Sequence, residues 1–365
     1  MNSAYIHSIE TAVPEFKYQQ TELRDIMKDV VGSTKREKRI IHHLYSNSGI
    51  DTRYSVVDDF KDRKSPKLFF NGQGATPGTK SRNDLYIQQG RKLFVEVAKK
   101  LLKNSDFKAA DITHLVTVSC TGFYAPGPDF DIIESLGLNP SVERYHLGFM
   151  GCYASIPALK MARQFCQADE KSTVLVVSVE LCSIHFQANT QMDNLLSSTV
   201  FADGGAGVII SSKMPEKQSF RLDGFASSIN KKGADDMAWS IGDTGFNMIL
   251  SNYIPDLLKE GMDDFLLDVI NQFKISQDEI EQWAIHPGGK AILDKLESST
   301  SIPKGTAGSS RKVLSKYGNM SSATILFVLK ELLDQTSDKP EKKTLAMSFG
   351  PGLTLESALL SKITR

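Results

Sequence analysis

Apolar residues along this chain fall into two alternating patterns. Short runs rich in β-branched residues predict buried strands. They are Thr113 to Ser119 (THLVTVS), Thr173 to Val179 (TVLVVSV) and Ala206 to Ser211 (AGVIIS). Thr344 to Phe349 and Leu353 to Leu359 predict a later strand–turn–strand pair around Gly-Pro-Gly. Between the runs, apolar positions recur at helical spacing. Ile156, Leu159, Ala162 and Cys166 mark one helix, and Leu85 to Leu102 marks another, with Gly90 as a mild blemish. Strands alternating with amphipathic helices indicate an α/β fold.

Two stretches read as loops. Lys61 to Arg82 is polar with two prolines and three glycines, and Ser298 to Ser310 is rich in Ser, Thr and Gly. Lys213 to Gln218 is the best candidate boundary, dividing the chain into residues 1–214 and 215–365. No short-period repeat occurs. A glycine-rich turn flanked by strands is expected at FADGGAGVII and again at SFGPGLTLES, an echo that two halves built on one plan would produce.

Composition narrows the function classes. The 365 residues carry 43 Lys plus Arg and 43 Asp plus Glu, so no basic excess points to nucleic acid. The start MNSAYIHSIETAVPEF lacks a signal-peptide pattern, and no apolar stretch reaches membrane-span length. The four cysteines show neither zinc spacing nor a disulfide framework. A reduced, cytoplasmic protein without a bound metal is expected.

Three residues stand where chemistry could be done. Cys152 follows Gly148 and Gly151 and precedes a helical pattern, and a cysteine at a helix N-terminus can gain thiolate character. The commoner fate of a free cysteine is a buried structural thiol. His286 ends a strand-like run before Pro287, Gly288 and Gly289, a scaffold position suited to catalysis, although a lone histidine is more often structural or on the surface. Asn319 follows Gly318 and precedes a helix, where an ordinary N-cap is the simpler reading. Together, a thiol, an imidazole and an amide donor at Gly-rich junctions make a coherent acyl-transfer site.

At these residues the chain resembles the type III polyketide synthases, the family of chalcone synthase. The matching stretches are THLVTVSCTGFYAPGPDF, GFMGCYASIPALKMAR, VLVVSVELCSIHF, TVFADGGAGVII, IHPGGKAILD, LSKYGNMSSATILFVL and SFGPGLTLE, in the family's order. The Cys-His-Asn set is shared with ketoacyl-ACP synthase III. The resemblance implies a thiolase-like α/β fold of two similar halves in five αβαβα layers, a homodimer, and no cofactor beyond coenzyme A thioesters as substrates. Cys152 would take the starter acyl group from an acyl-CoA and be kept ionised by His286. His286 and Asn319 would hold the malonyl-CoA thioester carbonyl during decarboxylation, a developing oxyanion. Phe201 matches the apolar ring over the malonyl carboxylate. Cys120, Thr121, Cys182, His185, Trp239, Met248 and Ser321 would line the substrate pocket. Arg53 would belong to the coenzyme A site. His42 and His43 are expected on the surface, and His114 at a turn into a strand.

The chain also departs from the plant members. Lysines that hold coenzyme A phosphates are replaced by His43 and Asn47. Coenzyme A recognition is therefore shifted or weaker, or an acyl carrier protein delivers one substrate. Ala125 stands where plant members place a methionine, Ser348 replaces the first glycine of the GFGPG loop, and Trp239 stands where glycine is common. The expected reaction is iterative decarboxylative condensation of malonyl-CoA onto an acyl-CoA starter, then cyclisation to an alkylpyrone or alkylresorcinol, with a chalcone-type product second. Ketoacyl-ACP synthase III-like single condensation and a non-catalytic thiolase-fold partner protein are the rival expectations.

Overall fold

Each β-branched run becomes a strand buried on both faces, as expected where helices cover a sheet from both sides. The computed structural model describes residues 2–60, 68–69, 76–233, 235–251, 253–299 and 302–364. In chain order its strands are β1 (Tyr5–Ala12), β2 (Phe16–Gln19), β3 (Thr52–Ser55), β4 (His114–Ser119), β5 (Glu143–Gly148), β6 (Thr173–Leu181) and β7 (Asp203–Ser211). There follow β8 (Ser219–Ile229), β9 (Met237–Gly242), β10 (Gly245–Leu250), β11 (Ile280–Ile285), β12 (Glu341–Gly350) and β13 (Thr354–Ile363). Nine of them form one sheet, in the order β11-β12-β13-β8-β1-β7-β6-β4-β5. Strand β4 runs parallel to both β5 and β6, and β11 parallel to β12. Within the sheet, the stretch β11-β12-β13-β8 joins the stretch β1-β7-β6-β4-β5 where β1 pairs with β8 at Tyr5↔Arg221 and Ile6↔Phe220.

Helices arrange this sheet into layers. Helix Thr79–Lys103 covers one face of β6 and β7 through Leu93, Phe94, Val97 and Leu101. Helix Ile254–Phe273 covers β8 on the far side of the molecule. Helix Ser155–Ala168 packs on β4, β6 and β7 and also on β13. Helix Thr324–Leu333 packs on β11 and β12 and also on β1 and β7. Two apolar helices thus lie between two stretches of sheet, each of which carries helices outside. This is a five-layer αβαβα order, with the largest apolar cluster in its middle.

Some elements differ from their sequence reading. Most of Lys61 to Arg82 lies outside the described residues, but its last four residues already belong to helix Thr79–Lys103. Residues 300 and 301 of the second expected loop also lie outside, and helix Gly308–Tyr317 takes its end. The glycine-rich echo is not a structural one. SFGPGLTLES is a true strand–turn–strand, whereas FADGG leads from helix Met192–Val200 into β7. His42 and His43 are exposed, and His114 opens β4.

Candidate active site

The site gathers where strands end and helices begin, the usual place for ligands in open α/β sheets. Cys152 lies in the turn between β5 and helix Ser155–Ala168. Gly151 before it has φ of +88°, and a Cβ there would fall 2.5 Å from Pro351 Cδ, so only glycine fits. His286 follows β11, with its N–H donating to Met347 O at 2.8 Å. Asn319 follows helix Gly308–Tyr317, and Phe201 sits between helix Met192–Val200 and β7. Asn319 and Phe201 are neighbours in a two-residue ladder. The Asn319 N–H donates to Val200 O at 2.8 Å, and the Ala202 N–H donates to Asn319 O at 2.9 Å.

One cavity of about 1310 Å³, counted with its mouth, joins these residues. Cys152, His286, Asn319, Phe201, Cys120, Thr121, Cys182, His185, Trp239, Met248, Ser321 and Arg53 all line it. Its remaining wall is largely apolar, with Leu23, Met27, Phe60, Met237, Leu250 and Phe349.

The amide of Asn319 is held in one orientation. Its Oδ1 accepts the Ser321 N–H at 2.9 Å, so its Nδ2 must face the other way. One Nδ2 hydrogen is directed at Gly288 O, 3.2 Å away. The same side chain is also a hydrogen-bond partner of the Cys152 thiol. The caps of the helical turns that follow are Met320 and Ala323, so Asn319 is not the expected helix cap; its bond to the Ser321 N–H instead fixes which way the amide points. His286 is 1% exposed, and neither ring nitrogen has a hydrogen-bond partner among the described residues. Leaving a buried polar group unpaired costs about 1–3 kcal/mol, which a bound substrate carbonyl or thiol proton would recover.

Burial controls the charges. It pushes the Cys152 thiol up to about 12, while hydrogen bonds from Ser321 and Asn319 pull the other way. It also pushes the His286 imidazole down to about 3. The helix N-terminus does not outweigh this loss of solvation. Each group alone is thus neutral near pH 7, and burial of both opposes the thiolate that the resemblance leads one to expect.

The other pocket residues are fixed just as firmly. His185 directs Nε2 at Thr121 O at 2.7 Å and accepts the Phe246 N–H at Nδ1 at 3.1 Å. Both nitrogens are occupied and burial holds its pKa at about 3, so it is a neutral wall residue. Its ring stacks on Phe246 at 4.1 Å and meets Trp239 edge-on at 5.4 Å. Trp239 Nε1 donates to Cys120 O at 2.7 Å and pairs across the β9–β10 hairpin with Met248.

Comparison with known proteins agrees with this arrangement over the length of the chain. The description "Chalcone and stilbene synthases, N-terminal domain" matches residues 2–214, and the corresponding C-terminal domain matches residues 226–364. The chain belongs to the chalcone and stilbene synthase family. It is a type III polyketide synthase, an acyltransferase with a thiolase-like fold. It is 31% identical to "alpha-pyrone synthesis polyketide synthase-like Pks18" of Mycobacterium tuberculosis, over 99% of this chain and 92% of that protein. Among solved structures, it is similar to PKS-I from the brown alga Ectocarpus siliculosus, with TM-score 0.91, 27% identity and 99% of both chains covered. The C-terminal type III polyketide synthase domain of Steely1, a type I/III hybrid from Dictyostelium, matches with TM-score 0.91 and 27% identity, each chain covered completely. Members of this family act on coenzyme A thioesters. Among the described residues of this polyketide synthase, no helix is long and apolar enough to cross a membrane, and no cluster of acidic, His or Cys residues could hold a metal.

Sequence reasoning missed one part of the synthase's site and misplaced another. Glu180 is fully buried behind Cys120. Its carboxylate accepts from Cys120 N at 3.0 Å, Cys120 Sγ at 3.2 Å, Thr121 Oγ1 at 2.8 Å and the Ser322 hydroxyl. A charged residue inside the apolar run VLVVSVEL was the signal, since a buried carboxylate must be paired. Arg53 was assigned to coenzyme A, but it is only 6% exposed. Its Nη1 is committed to Ser198 O at 2.8 Å and Phe201 O at 2.7 Å. A group that holds phosphate at the mouth must face solvent, and Arg53 does not.

Proposed function

We propose that this synthase loads a fatty acyl group from an acyl-CoA onto Cys152, extends it with malonyl-CoA, and closes the product as an alkylpyrone or alkylresorcinol. The observation that carries the reading is the largely apolar wall of the cavity that holds Cys152, where Leu23, Met27, Phe60, Met237 and Leu250 offer an alkyl chain apolar surface. Cys152 gives its proton to His286 and attacks the thioester, and coenzyme A leaves as the thiol. His286 and Asn319 then hold the thioester oxygen of malonyl-CoA as carbon dioxide departs, with Phe201 beside the carboxylate. The resulting enolate attacks the acyl group on Cys152, and the thiolate leaves. The relative named for alpha-pyrone synthesis supports the choice of product class. The division at residues 214 and 215 and a homodimer belong to the same proposal. Phe123 and Phe149, 51% and 39% exposed, pack on Phe246, the first stacked and the second edge-on, and give an apolar face for a second copy.

The test is incubation with malonyl-CoA and a panel of acyl-CoA starters, aliphatic and aromatic, with product masses read out. Multiply extended products from long aliphatic starters are expected. Products from aromatic starters alone would overturn the starter assignment, and single condensation with malonyl-ACP alone would overturn the iterative reading. Trp239→Gly should shift the product distribution towards more extensions or longer starters, because removing the ring opens the wall over Cys120. An unchanged distribution would show that Trp239 does not set cavity length.

A further inference from the structure

Arg53 joins two parts of the site that lie far apart in the chain. Its Nη1 donates to the carbonyls of Ser198 and Phe201, 145 and 148 residues away. Its aliphatic stem fills the space beside Gly318, where a Cβ would fall 2.9 Å from Arg53 Cγ and 3.1 Å from the Ala202 side chain. Gly318 has φ of +73°, a conformation that favours glycine. Each contact abuts a residue of the proposed decarboxylation machinery. Phe201 offers its own carbonyl, and Gly318 leads directly into Asn319.

These two segments are also bonded to each other through the Val200–Asn319–Ala202 ladder, so Arg53 clamps a single unit from the side. The clamp is itself braced. The Tyr45 hydroxyl donates to the same Ser198 carbonyl at 3.0 Å, and the guanidinium lies over the Tyr45 ring at 5.7 Å. Three residues along from Arg53, the Val56 N–H donates to the Asp203 carboxylate at 2.8 Å, which pins this stretch to the start of β7.

We infer that Arg53 is a positioning residue that sets the Phe201 ring and the Asn319 amide against each other, so that malonyl-CoA meets both in register. The inference rests on the proposed roles of Phe201 and Asn319 in decarboxylation. It predicts a split between the two half-reactions. Loading of Cys152 needs neither residue, whereas decarboxylation needs both.

The experiment compares Arg53→Lys, Gly318→Ala and Asn319→Ala with the wild-type protein. Starter loading is followed by intact mass, and malonyl-CoA decarboxylation by acetyl-CoA formation. Lysine keeps the charge but lacks the planar fork that spans both carbonyls. In Arg53→Lys, kcat for decarboxylation is expected to fall about 10- to 100-fold, the scale of a misplacement of about 1 Å. The KM for malonyl-CoA and the loading rate should stay within about threefold of wild type. Gly318→Ala wedges a methyl group against the Arg53 stem and should give the same split, and it decides the matter where Arg53→Lys is not recovered folded. Equal losses in both half-reactions, no loss in either, or a rise confined to KM would overturn the positioning role. If Asn319→Ala leaves decarboxylation intact, the proposed function fails. If Asn319→Ala slows it and Arg53→Lys does not, only this inference fails.

Discussion

Cys152→Ala protein is expected to keep its unmodified mass after incubation with an acyl-CoA starter, while the wild-type protein gains one acyl group. The test is stringent because two other thiols line the same cavity. Cys120 is buried and Cys182 half-buried, and loss of solvation pushes both thiols well above the usual range, with the Glu180 carboxylate adding to the effect. Cys120 is further engaged, with its Sγ 3.2 Å from Glu180 Oε1 and 3.3 Å from Ser321 Oγ. Neither is poised to become a thiolate, which is the species that attacks a thioester. A persistent acyl-enzyme in Cys152→Ala would mean that one of these thiols does the loading and that the nucleophile is misassigned.

Replacing the two hydrogen-bonding residues should separate the steps. Asn319→Ala removes one donor to the developing oxyanion and is expected to slow malonyl-CoA decarboxylation by about 10²–10³-fold, with loading of Cys152 close to wild type. His286→Ala should slow both steps. The same imidazole would hold the oxyanion and receive the thiol proton, and without it only the hydrogen bonds from Ser321 and Asn319 oppose the burial that pushes the Cys152 thiol up to about 12. Stopped-flow measurement of each half-reaction reads the difference. Decarboxylation at wild-type rate in both variants would remove the pair from the site.

The sequence made the central architecture legible because its strands are buried on both faces. Such strands have to be unbroken apolar runs, and Thr173–Val179 is an example that the structure extends only to Leu181. The catalytic candidates were legible as a set but not singly. Cys152, His286 and Asn319 each sit beside glycines that permit close approach, and only their co-occurrence in the family's order distinguished them from a core thiol, a surface imidazole and a helix cap.

Long-range partners were the harder part. Arg53 reads as a basic residue in a polar stretch, and nothing local reveals that its guanidinium is spent on carbonyls 145 and 148 residues away. Charge balance was equally hidden. A helix N-terminus favours a thiolate and burial opposes it, and their relative size depends on what covers Cys152 from other segments. Glu180 illustrates the same limit, since its partners come from β4, the turn after it, and the stretch following Asn319.

The two central helices have a consequence for how the protein is made. Helix Ser155–Ala168 rests on β4, β6 and β7, which precede or closely follow it, but its opposite side is covered by β13 at the far end of the chain. During synthesis at about 5–20 residues per second, the first half would wait roughly ten seconds or more with an apolar helix face in water. Chaperones that bind exposed apolar helices therefore have a defined window on this nascent chain, and it closes only once β13 has emerged.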